Sequence, residues 1–253
     1  MKTVFKDKLK VEIYETRKEM GFNAAKLAAE KIRECLAVKN EVNVIFAAAP
    51  SQNETLESLI NEEGIEWNRV NAFHMDEYIG LSADAPQGFG NFLREHIFDH
   101  LPFKSVNCIN CQAESPEEEC ERYTKLLEEN VVDVVLLGIG ENGHIAFNDP
   151  HVADFNDSQL VKVVSLDDVC RNQQVNDGCF KTIDDVPKYA LTLTIPALTR
   201  AKHMICTVPA PTKAWAVGRT VNGEINEECP ATIMRRHDSA VMFCDSDSGR
   251  DLL

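Results

Sequence analysis

Apolar residues along this chain recur with two spacings, and the two alternate from end to end. From Arg17 to about residue 38, Met20, Ala24, Leu27, Ala28, Ile32 and Cys35 form one helical stripe. Thr16-Arg17-Lys18-Glu19 opens it as a capping box. Val42–Ala49 and Asn68–Met75 are short apolar runs of strand length. Within Gln87–Leu101, the positions Phe89, Phe92, Leu93, His96, Ile97 and Leu101 return to helical spacing. Ser115-Pro116-Glu117-Glu118 starts another helix, with serine as cap and proline in the first turn. Strands are expected at Val131–Leu137, Leu160–Val164, Tyr189–Ile195, His203–Val208 and Ala240–Cys244, with a helix over Pro211–Val221.

Such alternation predicts an α/β fold, a mainly parallel sheet with helices on both faces. No repeat, low-complexity tract or Ser/Gly linker interrupts the sequence, so residues 1–253 read as a single domain. Ligands of such sheets bind beyond the carboxyl ends of the strands. That directs attention to Ser51–Thr55, Asp76–Leu81, Gly138–Asp149 and Pro209–Lys213.

The most informative of these segments lies in Val131–Pro150, VVDVVLLGIGENGHIAFNDP. Gly138-Ile-Gly140-Glu-Asn-Gly143 fits G-x-G-x-x-G after a strand, but a dinucleotide site needs a helix to open there. Here His144 follows at once and Asn148-Asp149-Pro150 closes the segment. The glycines read better as a tight turn that exposes His144, a proton shuttle near neutral pH, with Asp149 placed to orient it. A histidine satisfied by loop hydrogen bonds is the plainer alternative. Asp76-Glu77 ends an apolar strand, where a partly desolvated carboxylate acts as a general base and a solvated one only as a turn. Ser51-Gln52-Asn53-Glu54 opens a helix and offers either an anion site or a simple cap. Lys213, at another strand-to-helix transition, reaches an anion or lies exposed on its helix.

Charge and cysteine content narrow the partners. With 26 basic and 41 acidic residues the net charge is −15, which disfavours nucleic acid and anionic membrane. An anionic substrate would need local donors against that field. No apolar run approaches membrane-spanning length, and the N-terminus lacks an apolar signal region, so a cytoplasmic location is expected. Nine cysteines, an odd number mostly among apolar neighbours, fit free thiols. Cys108-Ile-Asn-Cys111 lacks a second pair at zinc spacing, and no metal is expected.

Five segments taken together resemble the glucosamine-6-phosphate deaminase family, which shares its fold with 6-phosphogluconolactonase. They are Asn71–Leu81 (NAFHMDEYIGL), Leu137–Pro150, Val186–Thr192, the segment around Lys213, and Pro230–Arg235 (PATIMR), in family order across nearly the whole chain. The resemblance implies conversion of an amino-sugar phosphate to a ketose phosphate and ammonia, without metal or redox cofactor. Asp76 would take the C2 proton of the opened sugar and return it at C1. His144 would assist ring opening and Asp149 would orient it. Ser51 and the backbone of the turn with Gln52 and Asn53 would hold the phosphate with Lys213, Arg171 adding positive charge. Three departures stand out: Asn142 where some members have a second acid, Asp149 in place of the family's glutamate, and side chains crowding a phosphate loop that is elsewhere rich in glycine and threonine. A lactonase, in which His144 activates water, and a non-catalytic sugar-phosphate sensor are the competing readings. Some self-association of the chain is expected.

Overall fold

The computed structural model describes all 253 residues. Eight strands form the main sheet: β1 (Lys2–Lys6), β2 (Leu9–Ile13), β3 (Val42–Phe46), β4 (Val70–His74), β6 (Ser105–Asn107), β7 (Val134–Leu137), β10 (His203–Val208) and β11 (Ala240–Cys244). Their order is β1-β2-β11-β10-β7-β3-β4-β6, parallel throughout except for the β1–β2 hairpin. Beside it stands a small antiparallel sheet, β5-β9-β8, built from Asp76–Tyr78, Tyr189–Leu193 and Val161–Ser165.

Inner strands bury both faces. Val44, Phe46, Val134 and Leu136 pack into one apolar cluster, while Ile45, Val135 and Leu137 enter the other. Helices α1 (Arg17–Val38), α2 (Asn53–Ile60) and α3 (Phe89–Leu93, continued as a wider π turn over Arg94–Phe98) supply the first cluster. Helices α4 (Pro116–Glu129), α6 (Ile195–Thr199) and α7 (Ala214–Asn222) supply the second. The short helix α5 (Asp168–Asn176) lies over the sheet's carboxyl edge. Two of the three expected caps form: Thr16 accepts from Glu19 N–H, and Ser115 accepts from Glu118 N–H. No helix is long and apolar enough to cross a membrane.

The chain runs outward through β3, β4 and β6, then returns to place β7 on the other side of β3. This reversal opens a crevice between the carboxyl ends of β3 and β7. The passage from β4 to β5 takes one residue, Met75, whose carbonyl accepts from Leu193 N–H at 2.8 Å. Asp76 therefore stands at the seam between the two sheets.

Candidate active site

One pocket fills the crevice. Its walls are the turn after β3 (Ala47–Ser51), the β4–β5 seam (Met75, Asp76), the loop after β7 (Gly138–Gly140, His144, Ala146, Phe147), the loop after β10 (Pro209, Ala210, Thr212, Lys213), α5 (Gln173, Gln174, Asp177), and Arg17 and Phe89.

Asp76 and Glu77 alternate on β5 and do different work. Asp76 lines the pocket, and burial together with the Glu77 charge pushes its carboxyl well above the usual range. Glu77 is turned to the start of α3, where it accepts from the N–H groups of Tyr78, Phe89 and Gly90 at 2.9, 3.0 and 2.9 Å. Burial raises it too, against the pull of those three donors. A strand end had suggested a loop carboxylate; Asp76 is instead fixed in a ladder opposite Thr192.

The loop after β7 places the histidine. Gly143 takes φ +82°, and Gly140 lies flat under the imidazole: a Cβ there would come within 2.4 Å of Nε2. His144 Nδ1 lies 2.9 Å from Asp149 Oδ1, which leaves Nε2 as the atom to exchange a proton with a ligand. Asp149 is fully buried. Burial would raise its carboxyl, but the His144 ring, the Asn142 amide and the Asp167 N–H outweigh it and hold it low. The shorter side chain is thus seated by three contacts rather than stretched to the ring. Asn142 does not reach the pocket. Its Nδ2 donates to Asp149 Oδ1 at 3.1 Å and Asp167 Oδ2 at 3.2 Å, and its Oδ1 accepts from His144 N–H at 3.0 Å.

The phosphate-binding residues expected from sequence are only partly brought together. Ser51 and Lys213 line the pocket. Lys213 is 5% exposed and forms no ion pair; burial lowers its ammonium, opposed by the charges of Asp177 and Glu141. Gln52 is a brace, its Nε2 donating to Ser51 Oγ and to Leu137 O across the crevice. Asn53 heads α2 outside the pocket. Arg171 is turned away from it as well: its guanidinium donates to Ile183 O at 2.6 Å and Val186 O at 3.1 Å. The capping box expected at 51–54 does not form. A 3₁₀ turn over Pro50–Gln52 precedes α2, and Glu54 pairs instead with Arg17 Nε at 2.6 Å. Pro50 has no N–H, and those of Gln52 and Asn53 close the turn onto Ala49 and Pro50, so the turn is a poorer anion cradle than a free helix start.

Two groups of lining residues escaped the sequence reading. Arg17, read from sequence only as the start of a helix, reaches the pocket from the first turn of α1. Gln173, Gln174 and the capping Asp177 lie at i, i+1 and i+4 at the end of α5, one polar face against the site, while Arg171 is turned about a third of a turn away. That polar stripe is the signal that would have found them. The ligand atoms of His144, Asp149 and Cys170 lie within 4.8 Å of one another, a set able to hold a metal ion only by displacing the donors already on Asp149.

Residues 15–243 match the family described as glucosamine-6-phosphate isomerases/6-phosphogluconolactonase. A glucosamine-6-phosphate deaminase of Bacillus cytotoxicus is 35% identical over 189 residues, 75% of this chain and 70% of that protein. Its counterpart in Streptococcus gordonii is 34% identical over 223 residues, 88% and 92% of the two chains. The solved structure of a monomeric glucosamine-6-phosphate deaminase superposes with a TM-score of 0.85 at 29% identity, covering 95% of this chain and 98% of that one.

Proposed function

The chain belongs to the family of glucosamine-6-phosphate isomerases and 6-phosphogluconolactonases, and on that premise we propose that it is an amino-sugar-phosphate deaminase/isomerase, releasing ammonia from glucosamine-6-phosphate or its C4 epimer to leave a ketose 6-phosphate. One observation carries the reading: a buried carboxyl of raised pKa, Asp76, shares a pocket with the His144–Asp149 pair. An aldose–ketose conversion needs both, a base for a carbon acid and a separate shuttle between oxygens. Hydrolysis of a lactone gives Asp76 no carbon acid to deprotonate.

His144 Nε2 moves a proton between the ring oxygen and the anomeric hydroxyl to open the sugar. Asp149 keeps Nδ1 protonated and steadies the imidazolium. The C2 substituent of the opened sugar is an ammonium, and its charge beside Asp76 draws that carboxyl into its basic form. Asp76 then takes the C2 proton and returns it at C1, which leaves an iminium at C2; water adds to that carbon, and ammonia departs as the C2 carbonyl forms. A carboxylate with an elevated affinity for protons is the stronger base for this step. Lys213 and Ser51 hold the phosphate, with the Gln173 and Gln174 amides on the opposite wall. Nine free cysteines fit a reducing, cytosolic setting for such catabolism.

Ammonia release from glucosamine-6-phosphate and galactosamine-6-phosphate, each with wild type and Asp76→Asn, tests this. Turnover of at least one, lost in the variant, is the expected result. Absence of turnover with both, or persistence in the variant, overturns it.

A further inference from the structure

The loop that carries His144 contains an amide, Asn142, between two carboxylates. Its Oδ1 is committed to His144 N–H, so both hydrogens of Nδ2 face acids, one at Asp149 and one at Asp167. Asp167 also donates its own N–H to Asp149 Oδ2 at 3.2 Å, and caps α5 by accepting from Cys170 N–H at 2.7 Å. Asn142, Asp149 and Asp167 thus close a ring of hydrogen bonds behind the imidazole. An aspartate at 142 would keep the bond to His144 N–H but turn its second oxygen toward two carboxylates at hydrogen-bond distance, with no proton between them. An asparagine supplies one hydrogen to each.

We infer that Asp167 is a positioning residue for the His144–Asp149 pair, and that its presence is what requires an amide at position 142. The cap of α5 thereby supplies an acid to the back of the site, and the residues at 142 and 167 are coupled through it. The kinetic arm of the test rests on the deaminase/isomerase reading; the spectroscopic arm does not.

Four proteins make the test: wild type, Asn142→Asp, Asp167→Asn, and the double exchange. Asparagine caps helices as well as aspartate, so Asp167→Asn keeps α5 intact. Asn142→Asp is expected to lose about 100-fold in kcat at pH 8, the scale of a misplaced catalytic group. It recovers toward pH 6, where a shared proton reconnects the acids, so its profile gains a falling limb on the basic side. Asp167→Asn alone is expected to lose about tenfold, because one Nδ2 hydrogen of Asn142 then meets an amide free to turn either face. The double exchange recovers about tenfold over Asn142→Asp, because the amide at 167 relieves one of the two carboxylate contacts while Asp149 still faces the acid at 142. In parallel, the Nδ1–H resonance of His144 is followed by nitrogen-15 NMR. It is expected in wild type and in the double exchange, and absent from Asn142→Asp at pH 8. A double variant no better than Asn142→Asp, or an Asn142→Asp profile parallel to wild type, overturns the inference. If no amino-sugar phosphate is turned over by wild type, the functional reading fails and the Nδ1–H signal alone decides this one.

Discussion

A single methyl group at residue 140 measures how closely the imidazole is placed. In Gly140→Ala the new carbon would stand 2.2 Å from Cε1, 2.3 Å from Nδ1 and 2.4 Å from Nε2 of His144. Ordinary contact begins near 3.4 Å, so the ring must withdraw by roughly 1 Å. The Nδ1 to Asp149 Oδ1 separation, now 2.9 Å, then passes the limit of a useful hydrogen bond. A displacement of that size costs about 100-fold in rate, or about 2.7 kcal/mol of barrier. The loss falls on kcat, since Lys213 and Ser51 are untouched and KM should change little. Stability falls by about 1–3 kcal/mol, the usual penalty of overpacking, and toward the lower end because the ring can move into the open pocket. Steady-state ammonia release beside a thermal melt reads both quantities. A folded variant with kcat within threefold of wild type would refute the placement argument, because the ring would have proved indifferent to its seat.

Lys213→Met should raise KM at least tenfold with a smaller effect on kcat, and leave the melting temperature unchanged or higher, since burial already opposes the charge; an unchanged KM removes Lys213 from substrate binding. Asp76→Asn should be more stable than wild type at pH 8. The folded-state pKa of Asp76 lies above its ordinary 3.8, so its contribution to stability is complete below about pH 4 and is lost as pH rises through the raised value. Melting the pair across pH should show the gap widening upward, and a constant gap would contradict it. Arg171→Met should cost about 1–3 kcal/mol by stranding the Ile183 and Val186 carbonyls, with KM unaltered; the reverse pattern, KM raised and stability kept, would return Arg171 to the site.

The parallel core was readable because it is monotonous: β3, β7 and β10 are runs of buried apolar residues with no competing signal. Their carboxyl ends located the pocket, and with it Asp76, His144, Ser51 and Lys213. What was not readable shares one cause, that pairing partners far apart in sequence leave no local trace. Asp76–Tyr78 resembles a polar turn until Tyr189–Leu193 is laid against it. The β1–β2 hairpin alternates Lys and Glu with apolar residues at a solvent edge, too weak a pattern to stand alone. Arg171 offered charge in the right neighbourhood, but one helical residue of rotation separates it from the face that meets the site. Glu54, three residues after Ser51, matched a cap by spacing, whereas Arg17 from a different helix claimed it in space.

The place of β11 bears on how such a protein comes into being. Ala240–Cys244 lies inside the sheet, between β2 and β10, with Phe243 paired to Glu12 on one side and Thr207 on the other. A ribosome therefore delivers this interior strand only after both its neighbours have waited with open edges. Asp245, just beyond it, then fixes Ala210 N–H at the root of the Lys213 loop. Nascent chains stopped short of this strand hold every proposed site residue yet lack the slab that seats them, and their unpaired edges invite chaperones or aggregation. Competence waits on the insertion of β11, so a copy that stops before it is recognisably unfinished rather than feebly active.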